Sequence, residues 1–448
     1  MPDSTTPEDD FPNSRSQSNH AGGGSEEYVS PENAFFTEES PSAAPVEGLN
    51  DEDQAEVDDR IDVSARVNDD PFRTRHAIQY RPTVRPPGPG IPEAICWTLG
   101  VLLIHLVGGL IAGVVIVSAQ VSRLAEAGTA PSAEVVTKVL TTLPRLLETH
   151  MFELIGIEML VFLLVAVLAT WLRLGARRTP HRLGIRPLAM QHFLLIVAVS
   201  IPISLTCGGL HQVTVAAWDQ WFAHLPGMGI FEHMNVNESI KPLGESTSLW
   251  LLLLAIAVAP AIGEEVIFRG VIGRGLIARH GILAGVVMTS LLFAAVHIHP
   301  AHVVALLPLA FFIHLVYLTT RSFLAPMLLH FLNNALAVVL LKAIATTPAL
   351  TEATELDLPV FVPILSAGIV VLVGWTLWKS RVQYRTNDGE LWSPGYPTVE
   401  IPPESAGATV AFGECQANLY RGALSLAAVY SLVFVVSLGL MLTGQIAT

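Results

Sequence analysis

"LWLLLLAIAVAPAIGEEVIFRG", residues 249–270, decides the fold. Fifteen uncharged residues, 249–263, run without a break into Glu264, Glu265 and Arg269. A helix needs about 20 predominantly apolar residues to cross the hydrocarbon core of a bilayer. This stretch has the length and the polarity of such a helix, yet it carries two carboxylates and a guanidinium. An ionisable side chain at that depth is costly and is a functional candidate by default.

Eight further apolar runs surround it. The nine candidate spans lie at about 94–118, 152–172, 191–209, 248–268, 282–298, 303–319, 324–345, 359–378 and 422–444. The runs at 282–298 and 303–319 are short and are separated by "HIHPAH", so they also read as a hairpin that does not cross cleanly. With 51% hydrophobic residues, 14% charged residues and a mean hydropathy of +0.51, the chain predicts an all-α, polytopic transmembrane bundle of eight or nine spans in an integral membrane protein. The cell (inner) membrane is the expected location.

The net charge of −14 belongs to one end. Residues 1–70 hold 19 acidic and 3 basic side chains, a net of −16, so the remainder is close to neutral. That segment is rich in Ser, Pro, Gly, Asp and Glu and reads as a disordered tail. No basic surface for nucleic acid is implied. The three cysteines, Cys96, Cys207 and Cys415, form neither a CxxC nor a disulfide framework.

Arg and Lys at the span ends set the expected orientation. Arg73, Arg75, Arg81 and Arg85 precede the first span; Arg173, Arg177, Arg178, Arg182 and Arg186 follow the second. Arg269, Arg274 and Arg279 follow the fourth, Arg321 separates the sixth from the seventh, and Lys379, Arg381 and Arg385 follow the eighth. Nine alternating spans place the N-terminus in the cytoplasm and the C-terminus outside. The resulting division is a disordered acidic cytoplasmic tail (1–90), N-terminal transmembrane helices and loops (91–240), a core (241–380), a cytoplasmic loop (381–421) and an appended C-terminal transmembrane helix (422–448).

Three polar clusters interrupt the late spans: "GEEVIFRG" (263–270), "FAAVH" (293–297) and "HFLNN" (330–334). Glu265 and Arg269 are i and i+4, so they share a helix face and can pair. Glu264 points about 100° away and is left available for chemistry. His330 and Asn334 share the i, i+4 spacing, and so do Phe293 and His297. Glu264 lies about 15 Å of helix before Arg274, and His330 and Asn334 lie about 13 and 20 Å past Arg321. His297 lies about 27 Å or less past Arg279. With tilt, the four meet in the half of the membrane nearer the basic loops. His105 and His314 read instead as helix–helix hydrogen-bonding residues, and Glu158 as an interhelical partner. His299 and His302 read as interfacial loop residues, with a metal site shared with His297 as the minor alternative.

The three clusters fit EExxxR, FxxxH and HxxxN, in that order and on successive apolar segments. In this the chain resembles the CPBP intramembrane proteases, the CAAX prenyl protease type II and bacteriocin-processing (abortive-infection) family, over about 245–345. "LGIRP" at 183–187 is similar to a short basic element found upstream in that family. The resemblance implies that Glu264 and His297 activate the attacking water, that His330 and Asn334 stabilise the oxyanion, and that Glu265 and Arg269 hold the first motif, with Phe293 in support. It implies a membrane-associated protein or peptide substrate, in a lipid environment, cut near its C-terminus or its membrane-proximal region.

The residues agree with that chemistry. Peptide hydrolysis needs a base that works near neutral pH and donors aimed at the developing oxyanion. No HExxH is present. Glu264, His297 and His330 would also make an acceptable zinc set with an open fourth position, so a metal-bound water and a Glu/His-activated water both stand. A noncatalytic scaffold or immunity protein of the same fold is the alternative function. A proton-relay transporter is a third reading, but no broken helices recur in corresponding halves.

Overall fold

The computed structural model describes residues 86–126, 133–228, 231, 243–347 and 358–442. The acidic segment 1–70, and with it the disorder expected of it, lies outside the described residues. Eleven helices are used below: α1 Ile91–Glu126, α2 Ala133–Thr149, α3 Met151–Leu174, α4 Thr179–Leu183, α5 Met190–Trp221, α6 Leu249–His280, α7 Ile282–Ala295, α8 Pro300–Thr320, α9 Leu324–Thr346, α10 Phe361–Lys379 and α11 Ala417–Leu442. An antiparallel ribbon, β1 Val382–Arg385 and β2 Thr409–Phe412, pairs Val382 with Phe412 and Arg385 with Thr409. The architecture is the all-α polytopic bundle that the apolar runs predict.

Among the described residues, eight helices are long and apolar enough to cross a membrane: α1, α3, α5, α6, α8, α9, α10 and α11. The ninth expected span is the exception. α7 has 14 residues, about 21 Å of helix against a hydrocarbon core of about 30 Å. It nevertheless joins the same two ends of the bundle as its neighbours. At one end Arg279 donates to Gly88 O at 2.9 Å, just before α1. At the other, His299 packs against Trp218 near the end of α5, and Thr214 Oγ1 donates to Ala301 O at 3.1 Å. Among the described residues the chain thus passes nine times between the two ends, and one pass is short.

The end that gathers the arginines is tied together by backbone. Tyr317 on α8 donates to Leu183 O at 2.7 Å, and Phe323 N donates to Gly184 O at 3.0 Å. The segment 380–416, most of the 381–421 stretch read from the sequence as a loop, carries the ribbon and packs onto this end. Ile401 N donates to His181 O at 3.0 Å, Arg274 pairs with Glu400, and Arg321 lies over the Tyr384 ring at 5.2 Å. Residues 86–90, at the C-terminal edge of the stretch read as a tail, also pack here, against Gly275 and Arg279. The appended helix begins at Ala417, a turn earlier than its apolar run.

α5 is the central helix. Leu195, Ile196, Val199 and Ile203 are fully buried against Ile313 and Val316 of α8, Leu329 of α9 and Val373 of α10. A second core joins α3, α6 and α7 through Phe162, Val266, Phe268, Ile272 and Phe293. Outward faces of α1, α3 and α11 are covered with exposed Leu and Val, such as Leu103, Leu110, Leu164 and Leu432. In water such a surface would be untenable; in a bilayer it is the face that meets acyl chains.

Candidate active site

The carboxylates sit on an α-helical turn between two π-helical ones. In α6, Leu253–Val258 and Phe268–Gly273 are π-helical and flank the α-helical Ala259–Ile267. Ala259 N donates to Leu254 O, five residues back. Pro260 lies just past the first π turn and has no N–H to give Ile256. π-turns inside α-helices are uncommon and concentrate at functional sites.

Gly263, immediately before the glutamates, is a packing requirement. A Cβ there would stand 2.5 Å from Cε1 of Phe162 on α3. The Phe162 ring is held in turn by His105 of α1, stacked on it at 4.4 Å. His105 Nδ1 meets Glu158 Oε1 at 3.0 Å. The histidine read as a helix–helix bonding residue and the glutamate read as an interhelical partner are therefore each other's partners. His314 differs from its expected role: neither ring nitrogen has a hydrogen-bond partner among the described residues, and the ring packs over Gly273 instead.

The two glutamates have different surroundings. Glu265 is fully buried, and Arg269 Nη1 donates to its Oε1 at 2.9 Å. Arg269 is also fully buried; its Nη2 donates to Ala310 O at 3.1 Å, and its guanidinium lies 4.4 Å from the centre of the Phe293 ring. Glu264 keeps 12% of its side chain accessible and takes no part in this ion pair.

His330 joins the two carboxylates. Its Nδ1 lies 2.8 Å from Glu265 Oε1, and its Nε2 lies 3.9 Å from Glu264 Oε2. Glu265 thus does more than hold Arg269: it fixes the ring that faces Glu264. Spacing within one helix could not show this, because His330 approaches from α9. Phe293 is the common wall, with ring centres 5.6 Å from His297, 5.8 Å from His330 and 5.3 Å from Phe268.

His297 lies two residues past the end of α7, at a strained turn. His299 N donates to His297 O at 2.6 Å, and Ile298 between them has φ +63°. A β-branched residue in that region is a conformational outlier, and a γ-turn with positive φ is the strained kind. His302, in the first turn of α8, stands 6.0 Å from His297 and 5.0 Å from His211 of α5, centre to centre. His299 packs instead on Trp218 and Phe231.

Asn334 is already engaged. Its Nδ2 donates to Ile256 O at 3.2 Å, and its Oδ1 accepts from Asn333 Nδ2 at 3.2 Å. Asn333 carries no role in the motif reading, and Ser204, which donates to it from α5 at 2.8 Å, gives no sequence signal at all.

Glu264, His297 and His330 are the residues of the alternative zinc reading. Among the described residues no three His, Cys, Asp or Glu side chains are arranged to hold a metal ion. Glu264 and His330 face one another at 3.9 Å, and His297 and His330 both pack against the Phe293 ring.

Residues 246–336 match the family model for the type II CAAX prenyl endopeptidase, Rce1-like. That is about one fifth of the chain, and it holds all three motifs. No curated protein and no solved structure matches the chain. The resemblance to the CPBP intramembrane proteases is therefore shown for residues 246–336, in the form of the Rce1-like type II CAAX prenyl endopeptidase family.

Proposed function

We propose that the chain is an intramembrane endopeptidase that hydrolyses a peptide bond near the C-terminus or membrane-proximal region of a membrane-associated protein. Its basic end, with the segment 380–416, faces the cytoplasm. The observation that carries the reading is the division of the two glutamates: one is locked in a buried ion pair, and the other is accessible and faced by a histidine that the first one holds.

In this reading water sits between Glu264 and His297. Glu264 takes a proton from it as the oxygen attacks the scissile carbonyl carbon. The carbonyl π electrons move to oxygen, and the oxyanion meets Asn334 Nδ2–H and His330 Nε2–H. Serving Glu265 through Nδ1–H and the oxyanion through Nε2–H takes both ring protons, so His330 acts here as the imidazolium. Collapse breaks the C–N bond, and the proton held by Glu264 passes to the leaving nitrogen. Every proton moves between groups of this chain and the substrate.

Replacing Asn334 with alanine separates the functions. Loss of one oxyanion donor lowers the rate by roughly 10²-fold, while substrate binding changes little. The measurement is kcat and KM of purified protein on a cleavable membrane-anchored reporter peptide. A scaffold has no rate to lose, and a proton relay is insensitive at a residue that does not titrate. An unchanged rate removes the oxyanion role.

Water activation in this mechanism rests on Glu264 and His297, so activity is expected to survive chelation. Elemental analysis of active protein before and after chelator treatment checks this. Stoichiometric zinc whose removal and return track activity would replace the Glu264/His297 water with a metal-bound one.

A further inference from the structure

Asn334 carries an acceptor and a donor at the same reach along its side chain, and only the nitrogen can serve an oxyanion. Which way the amide turns therefore matters to the reaction, and the structure contains the groups that decide it. Ile256 O faces the amide at 3.2 Å, and a carbonyl can only accept. Asn334 must turn its nitrogen to Ile256 and its oxygen to Asn333. Asn333 must then present its nitrogen to Asn334 and its oxygen to Ser204, whose one hydroxyl proton goes to that oxygen at 2.8 Å in place of Ser200 O at 2.9 Å. Reversing Asn334 sets two acceptors face to face at Ile256 and two donors face to face between the asparagines; reversing Asn333 alone sets two acceptors face to face between them. The Ile256 carbonyl is open to this use because Pro260, four residues on, has no N–H for it.

We propose that Asn333 and Ser204 are positioning residues for the hydrolysis: they hold the Asn334 amide in the flip that Ile256 O selects. One N–H then rests on Ile256, and the second is kept on the helix face that Asn334 shares with His330. This rests on the peptidase reading. The HxxxN pattern passes over Asn333, and Ser204 lies 129 residues away in sequence, on the central helix α5. Neither touches a reacting atom. Their effect runs through Asn334 alone.

The test uses the full-length purified protein and the reporter peptide. Asn333→Leu keeps the approximate volume and removes both hydrogen bonds. It is expected to lower kcat roughly tenfold or more, within the range for a lost or misdirected oxyanion donor, with KM little changed. The same replacement made in an Asn334→Ala background is expected to cost nothing further, because the group it orients is gone. Ser204→Ala is expected to lower kcat roughly three- to tenfold, the scale of one hydrogen bond, and Ser204→Thr to restore it. Equal losses from Asn333→Leu in both backgrounds would make its role purely structural and overturn the proposal. So would a wild-type kcat in folded Ser204→Ala, which remains decisive if Asn333→Leu does not fold. If Asn334→Ala itself cleaves at the wild-type rate, the peptidase assignment of Asn334 falls and the proposal with it. A large loss in Asn334→Ala beside normal Asn333→Leu and Ser204→Ala sinks the positioning role alone.

Discussion

Glu264→Gln is expected to lower kcat on a cleavable reporter by roughly 10²–10⁴-fold, the usual worth of a positioned general base. Glutamine keeps the shape and the accessible position of the side chain but cannot accept the proton of water. Glu264 stands outside the Glu265–Arg269 pair, and its one charge contact, with His330, is long at 3.9 Å, so thermal unfolding in detergent should change little. That combination, lost rate with kept stability, separates a reacting group from a packing group. Purified Glu264→Gln that cleaves at the wild-type rate would end the assignment.

The opposite pattern is expected at Arg269. The guanidinium is fully buried and has three supports: Glu265, the Ala310 carbonyl and the face of Phe293. Arg269→Met leaves Glu265 buried with His330 as its remaining partner. Breaking one side of a buried pair costs roughly 3–5 kcal/mol, so the yield of folded protein should fall sharply and its unfolding temperature with it. Adding Glu265→Leu removes the stranded carboxylate and should restore part of the stability. Activity should not return, because His330 Nδ1 then has nothing to hold it. An Arg269→Met protein with the wild-type unfolding temperature would contradict this account.

The two experiments also mark what the sequence makes legible. Glu265 and Arg269 are four residues apart on one helix, a fixed geometry, and the side chains meet at 2.9 Å. The apolar runs are legible for the same reason: length and polarity are properties of a single segment. Partners on different helices are not. Glu265 and His330 are 65 residues apart, and their meeting depends on which helices are neighbours and how each is rotated. His105 and Glu158 each stand out in the sequence as intramembrane polar groups, yet nothing local says that they meet across α1 and α3. The strain at Ile298 has no sequence signal, since isoleucine is a residue that avoids positive φ. The packing of 380–416 was hidden by composition: its Gly, Pro and charged residues read as a loop, while Glu400, Ile401 and Tyr384 bind to helix ends far away in the chain.

The two π turns of α6 have one more consequence, best seen as phase. Each π turn holds one residue more than an α turn, and one residue is worth about 100° of rotation. The glutamate turn is therefore out of step with the helix before it, and Arg274–His280 is out of step again. One continuous helix presents three independent compass bearings: the first for the outer contacts of Leu252 and Ile256, the second for the carboxylates, and the third for the arginine that grips Glu400. A regular helix would have to aim all three with a single rotation. Here the bearing of the carboxylates is set separately from the anchoring at either end.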